Sequence, residues 1–298
     1  MANKQDIGDD EIRIIGANKP NNHPHKPWWF WTILSLTIIA IVVLLVVLLS
    51  KHENNNSPNP ADTSHTGNTT TDMENSVSDN IAWLDNTDDT QRPRLSITDT
   101  TIDSLNLQII TPLNTIPELY IGKPDSKDTS ILLATLAADI RRDNGKIVGA
   151  FVYAGEPLSW GLSKRGYCAI IDECLTLGTA ENSPLFEQAT GQDGYFFRQY
   201  SAVDKGIAVT NNPENAAPRR ALCVIGKKYC IVATANRVLM NDFSQALVKL
   251  GASDAIYLVG GRAHGWWRDG DGHVNNFPES NPSRGNKKYI NYIIFRKN

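Results

Sequence analysis

The 298-residue chain has few of the residues that mark a small cross-linked scaffold or a nucleic-acid-binding protein. Four cysteines are too few for a disulfide-rich framework in a chain of this length. The 29 Lys and Arg residues are balanced by 32 Asp and Glu residues, which gives a net charge of −3 and no basic field for nucleic acid. With 41% hydrophobic residues, the composition is that of a folded protein.

The sequence also lacks the familiar catalytic signatures. It contains no Gly-x-Ser-x-Gly elbow, Walker loop, His-Glu-x-x-His pair or dinucleotide-binding fingerprint. After residue 94 only two histidines occur, His264 and His273, which disfavours a multi-histidine metal site in this part of the chain. The cofactor is therefore unknown: a divalent cation stays open, but no set of ligands is evident.

Residues 28–50 form a long hydrophobic run. These 23 residues contain no charge, glycine or proline. As a helix they would extend about 35 Å, enough to cross a hydrocarbon core of about 30 Å. Aromatic residues from Trp28 to Trp31 suit a membrane interface. A cleaved signal peptide is the alternative, and the length of the run and the missing small-x-small cleavage site disfavour it.

Charges near the ends of this hydrophobic run favour a cytoplasmic N-terminus. Lys19 and Lys26 precede it and Lys51 follows it, a slight positive-inside bias. The sequence therefore predicts a single-pass membrane protein with a cytoplasmic tail at 1–27 and a transmembrane helix at 28–50. The C-terminal domain is then extracytoplasmic, and periplasmic in a bacterium.

The region after the hydrophobic run divides into two parts of different composition. Residues 51–93 are rich in Asn, Ser, Thr and Asp. They predict a flexible polar stalk, because so few large apolar side chains cannot offset the entropy of ordering. Residues 94–298 are long enough for one sizeable core and contain no visible repeat.

The pattern in 94–298 predicts an α+β domain with a mixed, largely antiparallel sheet and about two main helices. Apolar residues at helical spacing predict helices over 130–142 and 242–250, each with a glycine beyond its end. Nine apolar runs predict strands: 105–110, 147–153, 167–171, 174–177, 195–200, 221–225, 229–234, 255–259 and 289–296.

The cysteines fit this pattern of strands. With Gly226-Lys227 as a two-residue turn, Cys223 faces Cys230 across an antiparallel pair, near the distance of a disulfide. The sequence is compatible with a disulfide between them, in a compartment outside the cytosol, and with a pair of free thiols. Cys168 and Cys174 would not face each other across their own turn, and core packing is expected for each.

The most informative stretch follows the strand predicted at 255–259. Gly260-Gly261 leads into Arg262, His264 and Trp266. Glycines at a strand end let backbone amides approach a ligand, a guanidinium binds phosphate or carboxylate, and an indole stacks on a sugar ring. The alternative to a binding site is a tight turn followed by a strand with one buried Trp.

Two further features are each open to a structural and a functional interpretation. Arg220 directly precedes the strand predicted at 221–225. It is either the charged entry to an edge strand or part of a phosphate pocket at the end of the sheet. Asp269-Gly270-Asp271-Gly272 favours a hairpin turn over a calcium loop, because no later acidic ligand follows.

These segments together resemble the phosphodiester glycosidase domain family, which includes the enzymes that remove N-acetylglucosamine from mannose-6-phosphate tags, and its bacterial envelope relatives. The segments that carry the resemblance are Gly149-Ala150-Phe151, Trp160-Gly161, Arg220-Ala221-Leu222, the helix at 242–250, and the strand from Ala255 to Gly261. The likeness covers residues 146–268. It implies hydrolysis or binding of phosphodiester-linked sugars by the domain at 94–298.

The resemblance also suggests roles for single residues. His264 is the candidate acid or base, Arg220 and Arg262 are candidate phosphate ligands, and Gly260 and Gly261 are candidate backbone donors. The family's strand ends in Leu-Asp-Gly-Gly-Gly-Ser, whereas this chain has Val259 in place of the Asp and Arg262-Ala263 in place of the last Gly-Ser. Valine can neither accept a proton nor bind a metal.

Three functions are consistent with this sequence. The first is an extracytoplasmic hydrolase of phosphodiester-linked sugars, with His264 and Arg220 as catalytic residues and Trp266 against the substrate. The second is a non-catalytic module on the same fold that binds a glycan or envelope polymer. The third is a purely structural envelope protein. The partners expected are the membrane, through residues 28–50, and a sugar-phosphate or glycan ligand, but no nucleic acid.

Overall fold

A computed structural model describes residues 83–211, 215–261, 263–281, 288 and 290–297. The predicted tail at 1–27, the predicted transmembrane helix at 28–50 and most of the predicted stalk lie outside these residues. Membrane attachment and an extracytoplasmic location stay predictions. Within the described residues, no helix combines the length and the apolar character needed to cross a bilayer.

Three antiparallel sheets make up most of the described structure, in which 49% of residues are in strands and 8% in helices. The largest sheet has seven strands: β1 (Arg94–Ile102), β2 (Leu105–Leu113), β10 (Ser201–Asp204), β11 (Ile207–Ala208), β12 (Arg220–Ile225), β13 (Lys228–Thr234) and β14 (Ala252–Leu258). They lie in the order β1-β2-β13-β12-β14-β10-β11.

The second sheet, called the β4 sheet, carries most of the candidate site. Its five strands are β3 (Ile116–Ile121), β4 (Ile131–Leu136), β15 (Gly265–Arg268), β16 (Val274–Asn276) and β17 (Asn291–Arg296). They lie in the order β16-β15-β4-β17-β3, so β4 is the central strand and β3 is an edge.

The third sheet, called the β9 sheet, also has five strands: β5 (Ala150–Tyr153), β6 (Glu156–Trp160), β7 (Gly166–Ile171), β8 (Cys174–Thr179) and β9 (Tyr195–Gln199). They lie in the order β6-β5-β9-β7-β8. The short helix α1 (Leu185–Gly191) packs on this sheet through Leu185 and Ala189.

The predicted α+β class is wrong, because the described residues form three antiparallel sheets with only 8% of residues in helices, and one of the two predicted helices is a strand. The run predicted as a helix over 130–142 contains β4, whose six residues are all buried. A central strand covered on both faces has a continuous apolar run, and periodicity alone cannot distinguish such a run from a buried helix. The other predicted helix, over 242–250, is confirmed as α2 (Met240–Lys249). All strand pairs described are antiparallel.

One hydrophobic cluster joins the three sheets. Leu222 of β12, Leu133 of β4 and Phe197 of β9 all belong to it, and none of them is exposed to solvent. The opposite face of the seven-stranded sheet packs against Phe243 and Leu247 of α2. The β4 sheet is therefore held against a shared core, which fixes the side chains at its edge.

The N-terminal described residues, part of the predicted stalk, pack against this body. Leu84 forms a bridge with Leu175 of β8. Asn86 is 4% exposed, and its side-chain amide donates to the carbonyl oxygens of Pro112 (2.6 Å) and Tyr229 (2.7 Å). Its side-chain oxygen accepts a bond from the Tyr229 amide (2.9 Å). Residues of the predicted stalk that the structure describes are thus packed against the folded body.

The cysteine hairpin has the register that its turn predicts. Cys223 of β12 pairs directly with Cys230 of β13, around Gly226 at a φ of +64°. Both are free, buried thiols. Cys168 is buried as expected, whereas Cys174 is exposed. Cys174 follows the tight turn that opens β8, so its side chain lies outside the core.

Candidate functional site

A cavity at the edge of the β4 sheet contains two of the residues predicted for the site. Its volume is about 490 Å³. The lining residues come from the segment after β3 and from the β15–β16 region: Lys123, Pro124, Asp125, Ser126, His264, Trp266, Val274 and Asn276. We call it the His264 cavity.

His264 precedes β15 and is 5% exposed. Its Nδ1 lies 3.0 Å from the hydroxyl oxygen of Tyr292, a residue of β17. Burial, together with the positive charges of Lys123 and Arg220, lowers the pKa of His264 to about 4. Burial raises the pKa of Tyr292, so its hydroxyl keeps its proton. The pair is therefore neutral near pH 7.

Arg220, the first residue of β12, lies beside this pair and is 2% exposed. Its Nη1 donates to Thr135 Oγ1 of β4 at 2.6 Å, and its guanidinium lies over the Phe277 ring, 3.9 Å from the centroid. A Cβ added to Gly265 would lie 2.7 Å from this Nη1, so the guanidinium packs directly against the β15 backbone. Burial lowers the pKa of Arg220 to about 10.

Trp266 lies in the wall of the cavity rather than on its surface. It is 1% exposed, and within the described residues its indole Nε1 is buried without a hydrogen-bond partner. The guanidinium carbon of Arg268 lies 5.8 Å from its ring centroid. An indole so enclosed offers no open face for stacking on a sugar, although it gives the cavity an apolar wall.

The backbone amides of the paired glycines are used within the fold. The Gly260 amide donates to the hydroxyl of Tyr257 at 3.1 Å, and the Gly261 amide donates to the carbonyl of Pro218 at 2.8 Å. Gly261 has a φ of +60°, which favours glycine, so the pair shapes the turn after β14. Arg262 lies outside the described residues.

The acidic turn that follows β15 is a hairpin turn between β15 and β16, as predicted. Asp269 accepts bonds from the backbone amides of Asp271 (3.1 Å) and His273 (2.8 Å). These three residues place one potential metal-ligand atom each within 4.8 Å of one another. The Asp269 carboxylate is already committed to the turn, and the other two residues are exposed.

Sequence reasoning missed Lys123 and Tyr292 as members of the site. Lys123 follows an unpredicted edge strand, and no motif surrounds it. Tyr292 was placed in a predicted strand, but only the pairing of β17 with β4 brings it toward His264. Val259, at the position of the family's Asp, is 6% exposed and lies in an apolar cluster with Ala263 and Trp266.

Comparison with solved structures shows a relationship at the level of fold. No protein-family model matches the chain, and no curated protein matches it. It is similar to the catalytic domain of zebrafish N-acetylglucosamine-1-phosphodiester alpha-N-acetylglucosaminidase, auto-inhibited by its pro-peptide, at 14% identity over 69% of this chain and 82% of that one, with a TM-score of 0.50. A hypothetical protein from Synechocystis shows 14% identity over 68% and 62% of the chains, with a TM-score of 0.47. The chain therefore has a distant relationship in fold to a phosphodiester glycosidase catalytic domain.

Proposed function

We propose that this protein binds a phosphorylated or phosphodiester-linked sugar in the His264 cavity. The observation that carries the proposal is the buried guanidinium of Arg220. Among the described residues it forms no ion pair with a carboxylate, and its contacts are a threonine hydroxyl and an aromatic ring. The fold relationship to a phosphodiester glycosidase is consistent with this class of ligand.

The charges around the cavity favour an anion. Taking a guanidinium out of water is costly unless other groups compensate its charge. The lowered pKa of Arg220 reflects that cost. Lys123 lines the cavity, against one lining carboxylate, Asp125, whereas Arg220 is not a lining residue and lies behind the wall, near His264. A phosphate group would gain a charge-assisted hydrogen bond from Lys123 and a longer-range attraction from the buried charge of Arg220.

The remaining walls suit a sugar. Val274 and Trp266 offer apolar surface, and Ser126 and Asn276 offer hydroxyl and amide groups. A sugar ring has apolar faces and hydroxyl edges, so a mixed lining matches it. The volume of about 490 Å³ is within the range of about 300–1,000 Å³ typical of small-molecule sites.

Binding is better supported than turnover. Most glycosidases use two carboxylates, whereas the described lining contains only Asp125. A histidine whose pKa is about 4 is almost entirely unprotonated near pH 7, so it is poorly suited to protonate a leaving group. Val259 supplies no carboxylate either.

Hydrolysis is a second candidate because His264 is held by Tyr292. A ring fixed by a hydrogen bond to an orienting group is a common arrangement for a general base. A bound phosphate would raise the pKa of His264, because an opposite charge favours the protonated imidazole. Release of free sugar or phosphate during the binding assay below would favour this candidate.

The proposal is tested by calorimetric titration of the full-length protein with N-acetylglucosamine 1-phosphate and with unphosphorylated N-acetylglucosamine. We expect saturable binding of the phosphorylated sugar and at least tenfold weaker binding of the other. Lys123→Gln, at an exposed position, should weaken binding about tenfold, because a charge-assisted hydrogen bond contributes roughly 1.5–3 kcal/mol.

Arg220→Met removes the buried charge, and Arg92→Met is the matched control at an exposed arginine. We expect Arg220→Met to weaken binding, because the attraction of its buried charge is lost, and Arg92→Met to leave binding unchanged. If Arg220→Met does not fold, the affinity of Lys123→Gln for the phosphorylated sugar still tests the proposal. Equal affinity for both sugars, or no effect of Lys123→Gln, would contradict the proposal.

A further inference from the structure

A second cavity lies beside the β9 sheet, between the end of β6 and the helix α1. Its volume is about 430 Å³, and it shares no lining residue with the His264 cavity. We propose that this cavity, called the Trp160 pocket, binds a ring of a neutral glycan. The residues that support this are Trp160, Leu162, Asn182, Phe186, Glu187 and Arg198.

The pocket exposes two large apolar side chains at one rim. Trp160, at the end of the edge strand β6, is 66% exposed, and Leu162 is 62% exposed. Phe186 of α1 is half-buried at the other side, with its ring packed edge-on to Phe196. An accessible indole beside a concave surface is suited to stacking on the apolar face of a sugar.

The pocket is preformed because Arg198 ties its two sides together. Nη1 of Arg198 donates to the carbonyl of Lys164 (2.7 Å), two residues beyond Leu162. The guanidinium also donates to the carbonyls of Ala180 (2.8 Å) and Glu181 (2.7 Å), which lead directly into Asn182. The two rims therefore keep their separation without a ligand.

Close backbone packing fixes the Trp160 side further. A Cβ added to Gly149 would lie 3.0 Å from Cβ of Arg198, and a Cβ on Gly161 would lie 3.3 Å from Cα of Gly149. Gly149 has a φ of +87°. The segment after β6 thus lies directly against Gly149, the residue before β5, and this contact holds Trp160 at the rim.

The polar groups of the rim favour a neutral, hydroxyl-rich ligand. Asn182 supplies an amide donor and acceptor, and Glu187 supplies an acceptor; both are exposed. The Glu187 carboxylate repels anions. Arg198 cannot compensate this repulsion easily, since it is 2% exposed and donates to backbone carbonyls. Hydrogen-bonding groups around an aromatic surface match a sugar better than a lipid chain.

This inference does not depend on the function proposed for the His264 cavity. The experiment measures binding of the full-length protein to linear tetrasaccharides of glucose, mannose and N-acetylglucosamine by calorimetry and tryptophan fluorescence. We expect saturable binding of at least one, weakened at least tenfold by Trp160→Ala and several-fold by Glu187→Gln. Trp83→Ala, at another tryptophan that is 41% exposed and outside the pocket, is the matched control and should bind as wild type does.

The outcomes separate this pocket from the first cavity. Trp160→Ala should keep the affinity of the protein for N-acetylglucosamine 1-phosphate, whereas Lys123→Gln should keep its affinity for the tetrasaccharide. No binding of any tetrasaccharide, or equal loss in Trp160→Ala and Trp83→Ala, would overturn the inference. Binding of phosphatidylcholine vesicles through Trp160, with no oligosaccharide binding, would also overturn it.

Discussion

The neutral state of His264 makes the folded protein sensitive to acid in a calculable way. The pKa of His264 is lowered from 6.5 to about 4, first by burial. As the pH falls below 6.5, the unfolded chain binds a proton that the folded chain does not bind until about pH 4. The contribution of neutral His264 to the free energy of unfolding is therefore complete above pH 6.5 and is lost as the pH falls toward 4.

The size of this loss follows from the two pKa values. The difference between 6.5 and about 4 corresponds to about 3 kcal/mol at about 1.36 kcal/mol per pH unit, and most of it is lost by pH 4.5. The residue is 5% exposed, so solvent screens this effect little.

The assay is urea unfolding at pH 7.5 and 4.5, followed by tryptophan fluorescence. His264→Gln cannot titrate, so between the two pH values its free energy of unfolding should fall by about 2 to 3 kcal/mol less than that of the wild type. His273→Gln is the control at an exposed histidine and should lose as much as the wild type. Equal losses in the wild type and His264→Gln would refute the reasoning.

Three further predictions concern stability and reactivity. Asn86→Ala removes three hydrogen bonds to buried backbone groups, and urea unfolding should show a loss of about 3 kcal/mol, against less than about 1 kcal/mol for the exposed Asn144→Ala. In the folded protein, 5,5′-dithiobis(2-nitrobenzoate) should modify Cys174 alone, because the other three cysteines are buried; a second fast thiol would contradict the structure. Gly265→Ala places a Cβ 2.7 Å from Nη1 of Arg220 and should cost about 2 kcal/mol; an unchanged midpoint in thermal unfolding would show that the guanidinium lies elsewhere.

The strand register was predictable wherever a short turn controls it. Gly226-Lys227 fixes the pairing of Cys223 with Cys230, and the structure has that pairing. In the same way, Ile171 pairs with Cys174 around two residues of positive φ. Such turns depend on local sequence alone, so the sequence is sufficient to predict them.

The nature of β4 was not predictable from its own residues. Ile131 to Leu136 is apolar apart from Thr135, which is compatible with a buried helix or a buried strand. Pairing with β15 and β17, more than 120 residues away in sequence, decides between them. Tertiary contacts of this kind leave no local signal.

The candidate site was predictable only in part, for the same reason. His264 and Trp266 were identified by their place after a glycine pair. Lys123 follows β3, whose Pro117 and Glu118 made it a poor strand candidate. Proline is tolerated there because β3 is an edge strand.

The most direct test of the central claim follows the imidazole of His264 by NMR during titration with N-acetylglucosamine 1-phosphate. The account predicts saturable shifts of the His264 signals and a rise of its pKa from about 4, because the phosphate brings negative charge to a site with two cations. Unphosphorylated N-acetylglucosamine should leave that pKa unchanged. Signals and a pKa of His264 that stay the same with the phosphorylated sugar would contradict the account.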